Sequence, residues 1–284
     1  MTRRAPTLAL AATACALGAL VAPPLGPAAA RAQDEDELDE GLDASRGDPR
    51  QVLLRALEAM GGADALRALR SAALSFDAEG EAGLRERHTL QVEGRLLHYA
   101  SRDPGGVGFD VVIARAAAFL CDRGPDGQAT YVEDLTSDDA REGAYERDML
   151  FMPLLLPGLV GEARAQLEHK GKSSTGEEVI KAVVHPAPGN PGAAPFVVRL
   201  RFDPTSGLLT TAMGTIPCGA DQGRKRYLSY LEPRRVGPLV LPHRYADLRS
   251  KDVAPRDVPV AWALDAPVEA ALFARPTAVA PEGR

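Results

Sequence analysis

The chain has 284 residues, with 33 Lys and Arg residues against 39 Asp and Glu residues and a formal net charge of -6. Hydrophobic residues make up 45% and charged residues 25%, a balance that is typical of globular proteins and excludes a wholly disordered chain, a coiled coil and a collagen-like repeat. The sequence pI near 5.5 argues against nucleic-acid binding, which needs a basic face to neutralise phosphates.

The start of the chain has the pattern of a secretory signal peptide over residues 1–32. Two arginines precede an apolar run over residues 8–22, and a small-residue A-x-A site ends at Ala32. We predict cleavage after Ala32 and a mature protein that is periplasmic or secreted. The apolar run is shorter than the roughly 20 residues that a spanning helix needs. Twin-arginine export and lipid attachment at Cys15 are weaker alternatives, because neither motif is complete.

An acidic segment separates this signal from the body of the chain. Residues 33–48 hold eight acids and one base without an aromatic residue, so they cannot bury apolar surface. We predict that they form a disordered linker and that residues 49–284 form a single domain. This domain has 29 basic against 31 acidic residues, a net charge of -2, so its bulk charge indicates no charged partner.

Two short helices are predicted at the start of the domain. Asp48 suits a helix N-cap and Pro49 the first helical position. Apolar residues recur on one helical face until Gly61-Gly62 ends the helix, and a second helix is predicted over about 63–69. The apolar face consists of Val52, Leu53, Ala56, Leu57 and Met60.

From Ser71 onward the apolar period changes from 3.6 to 2, which indicates β-strands. Glu93-Gly94 predicts a tight hairpin, and residues 198–202 are the clearest half-buried strand. A last strand over 258–264 carries Trp262, the only tryptophan. About ten short strands without alternating helices favour one large antiparallel sheet over parallel βαβ units.

An apolar segment interrupts the strands. Residues 137–139 can cap a helix, and residues 149–157 read Met-Leu-Phe-Met-Pro-Leu-Leu-Leu-Pro. Because proline lacks the backbone N–H and its ring clashes with the preceding turn, we predict that neither a continuous helix nor a central strand forms over 149–157.

No catalytic or metal-binding motif is complete. The five histidines form no i, i+3 or i, i+4 pair, and neither a phosphate-binding loop nor a Gly-x-Ser-x-Gly elbow occurs. We therefore expect no catalytic residue, no metal and no cofactor. Two carboxylates from distant strands could still meet in space. The cysteines of the mature chain, Cys121 and Cys218, are a candidate disulfide in an oxidising compartment, or alternatively two buried small hydrophobes.

Four motifs resemble those of a known family. They are Leu-x-x-Ala-Leu-Glu-Ala-Met-Gly-Gly from residue 53, Leu-Arg-Phe-Asp-Pro-Thr-Ser-Gly-Leu-Leu from residue 200, Tyr227-x-x-Tyr230 followed by Val236-Gly237 and Pro242, and Leu272-Phe273-Ala274-Arg275-Pro276. In their order and spacing, over residues 50–276, the chain resembles the periplasmic lipoprotein-carrier superfamily, the LolA/LolB-like group of outer-membrane lipoprotein-sorting-like exported proteins.

The resemblance implies a mainly β (α+β) fold. A strongly curved antiparallel sheet would form an incomplete barrel, with an N-terminal helical hairpin over 49–69 and a helical lid insert over 138–157. Arg85 and Arg87 are the candidates for the arginine that fastens the lid in such carriers. The residues expected to bind a hydrophobic ligand are Phe76, Phe109, Phe119, Met149, Phe151, Met152, Leu155, Phe202 and Met213.

The leading hypothesis is an exported, non-enzymatic carrier that holds a lipid or lipoprotein acyl chain in the half-barrel. Its partners would be a lipid or an acylated protein and a membrane-bound donor or acceptor protein, and no nucleic acid. Two alternatives stay open. One is a periplasmic interaction or sensor module that binds a protein partner, and the other is a hydrolase with a spatially assembled site.

Overall fold

The computed structural model describes residues 47–78, 84–92, 95–114, 118–161, 165–185, 196–218, 222–248 and 256–278. The predicted signal peptide, most of the predicted linker and the predicted Glu93-Gly94 turn lie outside these residues. The cleavage site, the linker and the domain boundaries therefore stay predictions.

A helical hairpin opens the described chain. Helix α1 (Pro49–Ala59) has Asp48 as its N-cap, whose side chain accepts a hydrogen bond from a first-turn amide at 2.9 Å, and helix α2 (Ala63–Ala68) follows after two glycines. Gly61 has a φ of 117°, and a β-carbon there would lie 2.3 Å from the Pro238 carbonyl oxygen. Only glycine suits this turn, because it combines a left-handed φ with a close approach to another backbone.

Fourteen strands follow in the described part of the chain, and they form two antiparallel sheets. The strands are β1 (Ser71–Ala78), β2 (Leu84–Gln91), β3 (Leu96–Arg102), β4 (Gly108–Ile113), β5 (Ala118–Arg123), β6 (Ala129–Asp134), β7 (Ala165–Lys172), β8 (Glu178–Val184), β9 (Phe196–Phe202), β10 (Leu209–Thr215), β11 (Lys225–Val236), β12 (Leu239–Leu248), β13 (Arg256–Pro259) and β14 (Ala261–Leu264). Sheet A has the order β14-β1-β2-β3-β4-β5-β6, and sheet B has the order β13-β12-β11-β10-β9-β8-β7.

The two sheets meet at Val260, which is buried. The single strand predicted over 258–264 is in fact two strands, because β13 pairs with β12 in sheet B while β14 pairs with β1 in sheet A. The outermost strands β6 and β7 do not pair with each other within the described residues, so the barrel is open. This arrangement confirms the predicted incomplete antiparallel barrel, although it is built from two sheets of seven strands.

Two lid helices, α3 (Ser137–Leu150) and α4 (Met152–Gly161), connect β6 to β7. The N-cap of α3 is Thr136, one residue before the predicted capping residues 137–139, and it forms a capping box with Asp139. As predicted, no continuous helix and no strand spans 149–157, because the helices break at Phe151; the prolines nevertheless do not prevent α4, and Pro157 lies inside it. Burial compensates for the proline, and the buried residues of α4 are Met152, Pro153, Leu154, Leu155, Leu156 and Leu159.

The helices fill the concavity of the half-barrel. One cluster of buried apolar side chains includes residues of all four helices and of the inner faces of both sheets. A smaller cluster lies on the outer face of sheet A, against Phe273 of a 3-10 helix (Ala270–Phe273). This outer cluster consists of Val112, Phe119, Cys121 and Ala129.

Both cysteines are free in the structure. Cys121 belongs to the outer cluster, whereas Cys218 follows β10 and its thiol lies 3.0 Å from the Asp138 carbonyl oxygen in α3. The candidate disulfide is therefore not formed, and the alternative of two buried hydrophobes describes them. Burial raises the pKa of both thiols.

Candidate functional site: the lidded interior of the half-barrel

The structure brings together most of the residues predicted to bind a hydrophobic ligand. Six of the nine are buried in the interior cluster, and Phe109 is half-buried against it. Phe151, at the junction of the lid helices, packs edge-on against Trp262 with ring centroids 5.9 Å apart. The six buried residues are Phe76, Met149, Phe151, Met152, Leu155 and Phe202.

Phe119 and Met213 lie on the outer faces of the sheets. Phe119 belongs to the outer cluster, and Met213 is the neighbour of Ala212, which faces the interior. Side chains alternate between the two faces of a strand. A prediction that is off by one residue along the strand therefore selects a side chain on the outer face. A ligand in the interior would contact neither residue.

A pocket of about 280 Å³, here called the mouth pocket, lies where α1 ends and α4 begins. Its lining is mostly apolar, with three polar residues from the β9–β10 connection and β10. None of the nine predicted residues lines it. The lining residues are Met60, Pro153, Asp203, Ser206, Leu208, Leu209, Thr210, Tyr230, Pro233, Val240, Leu241 and Pro242.

Two facing prolines interrupt the sheet beside the mouth pocket. Pro233 of β11 lies opposite Pro242 of β12, and neither can donate a ladder hydrogen bond. The Val240 amide of β12 instead donates to the Met60 carbonyl oxygen at the end of α1, at 2.9 Å. The sequence analysis did not predict this pocket. The signal that could have indicated it is the pair of prolines, Pro233 and Pro242, in two neighbouring strands.

Two buried phenols hold the junction of the lid helices. The Tyr230 hydroxyl donates to the Met149 carbonyl oxygen at 2.7 Å, and the Tyr245 hydroxyl donates to the Leu150 carbonyl oxygen at 2.9 Å. Both acceptors are among the last carbonyls of α3, which lack partners within the helix. Burial raises the pKa of both tyrosines well above the ordinary value, so both remain donors across the physiological pH range.

We expect Tyr230→Phe and Tyr245→Phe each to lower the free energy of unfolding by about 1 kcal/mol, because each removes the donor to a buried carbonyl. Urea unfolding of the two variants would measure this loss. Tyr131→Phe is the matched control, because its hydroxyl is exposed and donates only to Glu133 among described residues, and it should change stability little. Equal effects in all three variants would contradict a specific role for the buried phenols.

A buried ion network ties α3 to sheet B. Arg226 of β11, only 1% exposed, binds both carboxylate oxygens of Asp247 in β12, at 2.9 and 2.6 Å, and also binds the Glu146 carboxylate of α3. Burial opposes its charge, but Asp247 and Glu146 outweigh that effect and raise the pKa of Arg226 well above the ordinary value. Arg226 therefore stays charged and fastens the lid.

The network continues to sheet A. Arg256 lies 3.2 Å from Glu86, and the imidazole of His88 lies 3.6 Å from the same carboxylate. His88 is stacked between Phe76 and Tyr99, with centroid distances of 5.3 and 4.5 Å. Burial raises the pKa of Glu86, but the combined effect of His88 and Arg256 is larger and lowers it, so the pKa lies below its ordinary value.

We call Glu86, His88, Glu146, Arg226, Asp247 and Arg256 the buried charge cluster. They surround a cavity of about 30 Å³, which is the volume of one water molecule. The sequence-based candidates for the lid arginine, Arg85 and Arg87, are instead exposed on β2, on the face opposite Glu86 and His88. No local pattern marks Arg226, because its carboxylate partners are 80 and 21 residues away.

No group of three His, Cys, Asp or Glu side chains within the described residues could hold a metal ion. In that same part of the chain, no helix has the length and apolarity needed to cross a membrane.

No protein-family model and no curated protein sequence matches the chain. Solved structures do match. A DUF1329 family protein from Desulfovibrio piger is 11% identical, with 80% of this chain and 98% of that chain covered and a TM-score of 0.45. A LolA superfamily protein from Nitrosomonas europaea is 10% identical, with 81% and 98% covered and a TM-score of 0.40. The lipoprotein LppX from Mycobacterium tuberculosis is 9% identical, with 78% and 99% covered and a TM-score of 0.28.

All three TM-scores lie below 0.5. One of these three structures is that of a LolA superfamily protein, the group that the sequence motifs resemble.

Proposed function

We propose that this protein is an exported, non-enzymatic carrier or binding protein that holds a hydrophobic ligand, a lipid or the acyl chain of a lipoprotein, under the helical lid. The observation that carries the proposal is the mouth pocket. It has an apolar lining, a volume of about 280 Å³, and direct contact with the start of α4 and the end of α1.

The size and lining of the mouth pocket suit a chain-like apolar ligand. Small-molecule pockets usually measure about 300–1,000 Å³, and a dry apolar cavity of about 150 Å³ already binds benzene. Each buried methylene contributes about 0.8 kcal/mol, so an acyl chain could gain several kcal/mol from burial alone. A longer chain would extend from the pocket into the space that α4 occupies in this conformation.

The lid provides a route for exchange. Helix α4 is attached to the sheets mainly by apolar packing, which an acyl chain can replace with packing of the same kind. The polar attachments are concentrated at α3 and the helix junction, in Arg226, Tyr230 and Tyr245. We infer that α4 moves while α3 stays fastened, and that a membrane-bound donor or acceptor protein induces this movement.

The buried charge cluster fits a structural role better than a hydrolytic one. His88 and three carboxylates meet there, as a spatially assembled hydrolase site would require. However, their cavity has room for about one water molecule and none for a substrate. The pairing of Arg226 with Glu146 instead joins the lid to the sheet.

Val240→Trp tests the mouth pocket by filling it. We expect the affinity for a fluorescent fatty acid to fall at least about tenfold, because the indole occupies the space of the ligand. Displacement titration of the purified protein would measure this, together with mass spectrometry of lipid extracted from protein made in its own host. Val197→Trp is the matched control, since Val197 is 40% exposed and does not line the pocket.

The control variant should bind as the unchanged protein does. If Val240→Trp folds normally and binds the fatty acid with unchanged affinity, the pocket is not the binding site. If neither protein binds the probe and no lipid co-purifies, the carrier proposal fails.

A further inference from the structure

The concave face of sheet A becomes more exposed toward its last strand, β6. Ser101, Phe109, Asp122 and Tyr131 lie side by side on β3, β4, β5 and β6, each opposite the next in the strand register. Ser101 is buried and Phe109 half-buried, whereas Asp122 is exposed and Tyr131 is 49% exposed. The lid therefore covers the first strands of this row and leaves β5 and β6 open.

Two carboxylates lie on this open face. Glu133 of β6 is two residues from Tyr131, so it shares its face, and it accepts a hydrogen bond from the Tyr131 hydroxyl at 3.1 Å. Neither Asp122 nor Glu133 forms an ion pair with a cation among the described residues. Burial and the neighbouring Glu133 raise the pKa of Asp122, as expected where negative charge is not compensated.

Strand β6 is also the free edge of sheet A. In the described structure its only strand neighbour is β5, so the other side of its backbone has no strand partner. Exposed edges are commonly protected by lysine or proline, and β6, with the sequence Ala-Thr-Tyr-Val-Glu-Asp, has neither. The edge strand of sheet B is different, because β7 carries Lys170 and Lys172.

The outer face of β6 is more apolar, although Asp134 also lies there and is paired with Arg275. Val132 is half-buried and packs against the outer cluster, which Phe273 covers. A strand added beside β6 would therefore meet Tyr131 and carboxylates on the concave side, and Val132 with the Asp134–Arg275 pair on the convex side. Because side chains alternate along a strand, such a partner should alternate basic and apolar residues.

We propose that the β6 edge, with Asp122, Tyr131 and Glu133 on its concave side, binds an extended segment of a partner protein that alternates basic and apolar residues. Main-chain hydrogen bonds to β6 would supply affinity, and pairing of the basic side chains with Asp122 and Glu133 would supply specificity and register. This surface is distinct from the mouth pocket, and none of its residues lines that pocket.

The test uses labelled eight-residue peptides and the purified protein, with binding followed by fluorescence anisotropy. A capped alternating Lys-Val peptide should bind, and an alternating Glu-Val peptide should not. A Lys-Val peptide with N-methyl groups on every amide keeps the charge but has no backbone donor left on either edge to pair with an edge strand, so its affinity should fall about tenfold or more.

Asp122→Asn combined with Glu133→Gln should weaken binding of the Lys-Val peptide about three- to tenfold, because the double variant removes two cross-strand charge pairs. Glu168→Gln on β7 is the matched control and should leave binding unchanged. Fatty-acid binding at the mouth pocket should be the same in all of these proteins.

Three outcomes would overturn the proposal. Absence of Lys-Val binding would exclude the site. Equal affinity for the N-methylated peptide would mean that the surface attracts cations, such as cationic lipid headgroups, by charge alone. Unchanged affinity in the double variant would place peptide binding elsewhere on the protein.

Discussion

Replacing Arg226 with Met should lower the free energy of unfolding by about 3–5 kcal/mol. We expect no other replacement of a single charged residue in this protein to cost more. The substitution removes a buried cation shared by Glu146 of the lid and Asp247 of the sheet, and leaves both carboxylates in a poorly solvated site. Urea unfolding monitored by far-UV circular dichroism would measure the change.

Arg244→Met is the matched control for this prediction. Arg244 also binds an aspartate in a bidentate manner, here Asp257, but its side chain is 44% exposed, so its loss should cost no more than about 1 kcal/mol. Replacing Arg226, Glu146 and Asp247 together with apolar residues should restore much of the lost stability, since no charge then stays buried alone. If Arg226→Met and Arg244→Met had the same effect, Arg226 would not fasten the lid.

Pro157→Ala should raise the free energy of unfolding by about 2 kcal/mol and slow the release of a bound fatty acid. Proline inside a helix costs about 3 kcal/mol because it lacks the N–H that would bond to residue 153 and its ring crowds that carbonyl. Loss of contacts of the half-buried ring should offset part of the gain. Urea unfolding and stopped-flow release of the fluorescent ligand would measure the two effects.

The control for this variant is Pro153→Ala. Pro153 lies in the first turn of α4, where the missing N–H has no helical acceptor, so its replacement should bring no gain in stability. If Pro157→Ala stabilises the protein but release is as fast as before, α4 does not gate the pocket. Destabilisation by Pro157→Ala would show that packing of the ring outweighs the strain in the helix.

Local patterns predicted much of this fold. The apolar face of α1, its N-cap at Asp48 and the period of two after Ser71 depend on neighbouring residues, and the structure contains each of them. The split of residues 258–264 was missed, because nothing in a seven-residue apolar run shows that the strand changes sheets at Val260. The local pattern missed helix α4, although the family resemblance implied a helical insert over 138–157. The penalty of Pro157 is local, whereas the burial that overcomes it is tertiary.

The candidate site was predicted less completely than the fold. Apolar residues of the lid, such as Met149 and Phe151, were found because their segment is conspicuously hydrophobic. The buried charge cluster could not be found, since it joins residues from β2, α3, β11, β12 and β13 that the fold alone brings together. The same holds for the mouth pocket, which combines Met60 with residues more than 90 positions later in the chain.

The junction at Val260 has a consequence for how the protein folds. Strand β1 pairs with β14, so Ala72 lies opposite Leu264, and a loop that spans most of the domain must close before this ladder can form. The entropy of closing a loop grows with its length, and ladders of high contact order form late and slowly. Each sheet can assemble from consecutive hairpins during synthesis of the chain. Sheets A and B, however, cannot join until the last strand, β14, has been synthesised. Until then both sheets present unpaired edges, a state in which an assisting chaperone would matter most.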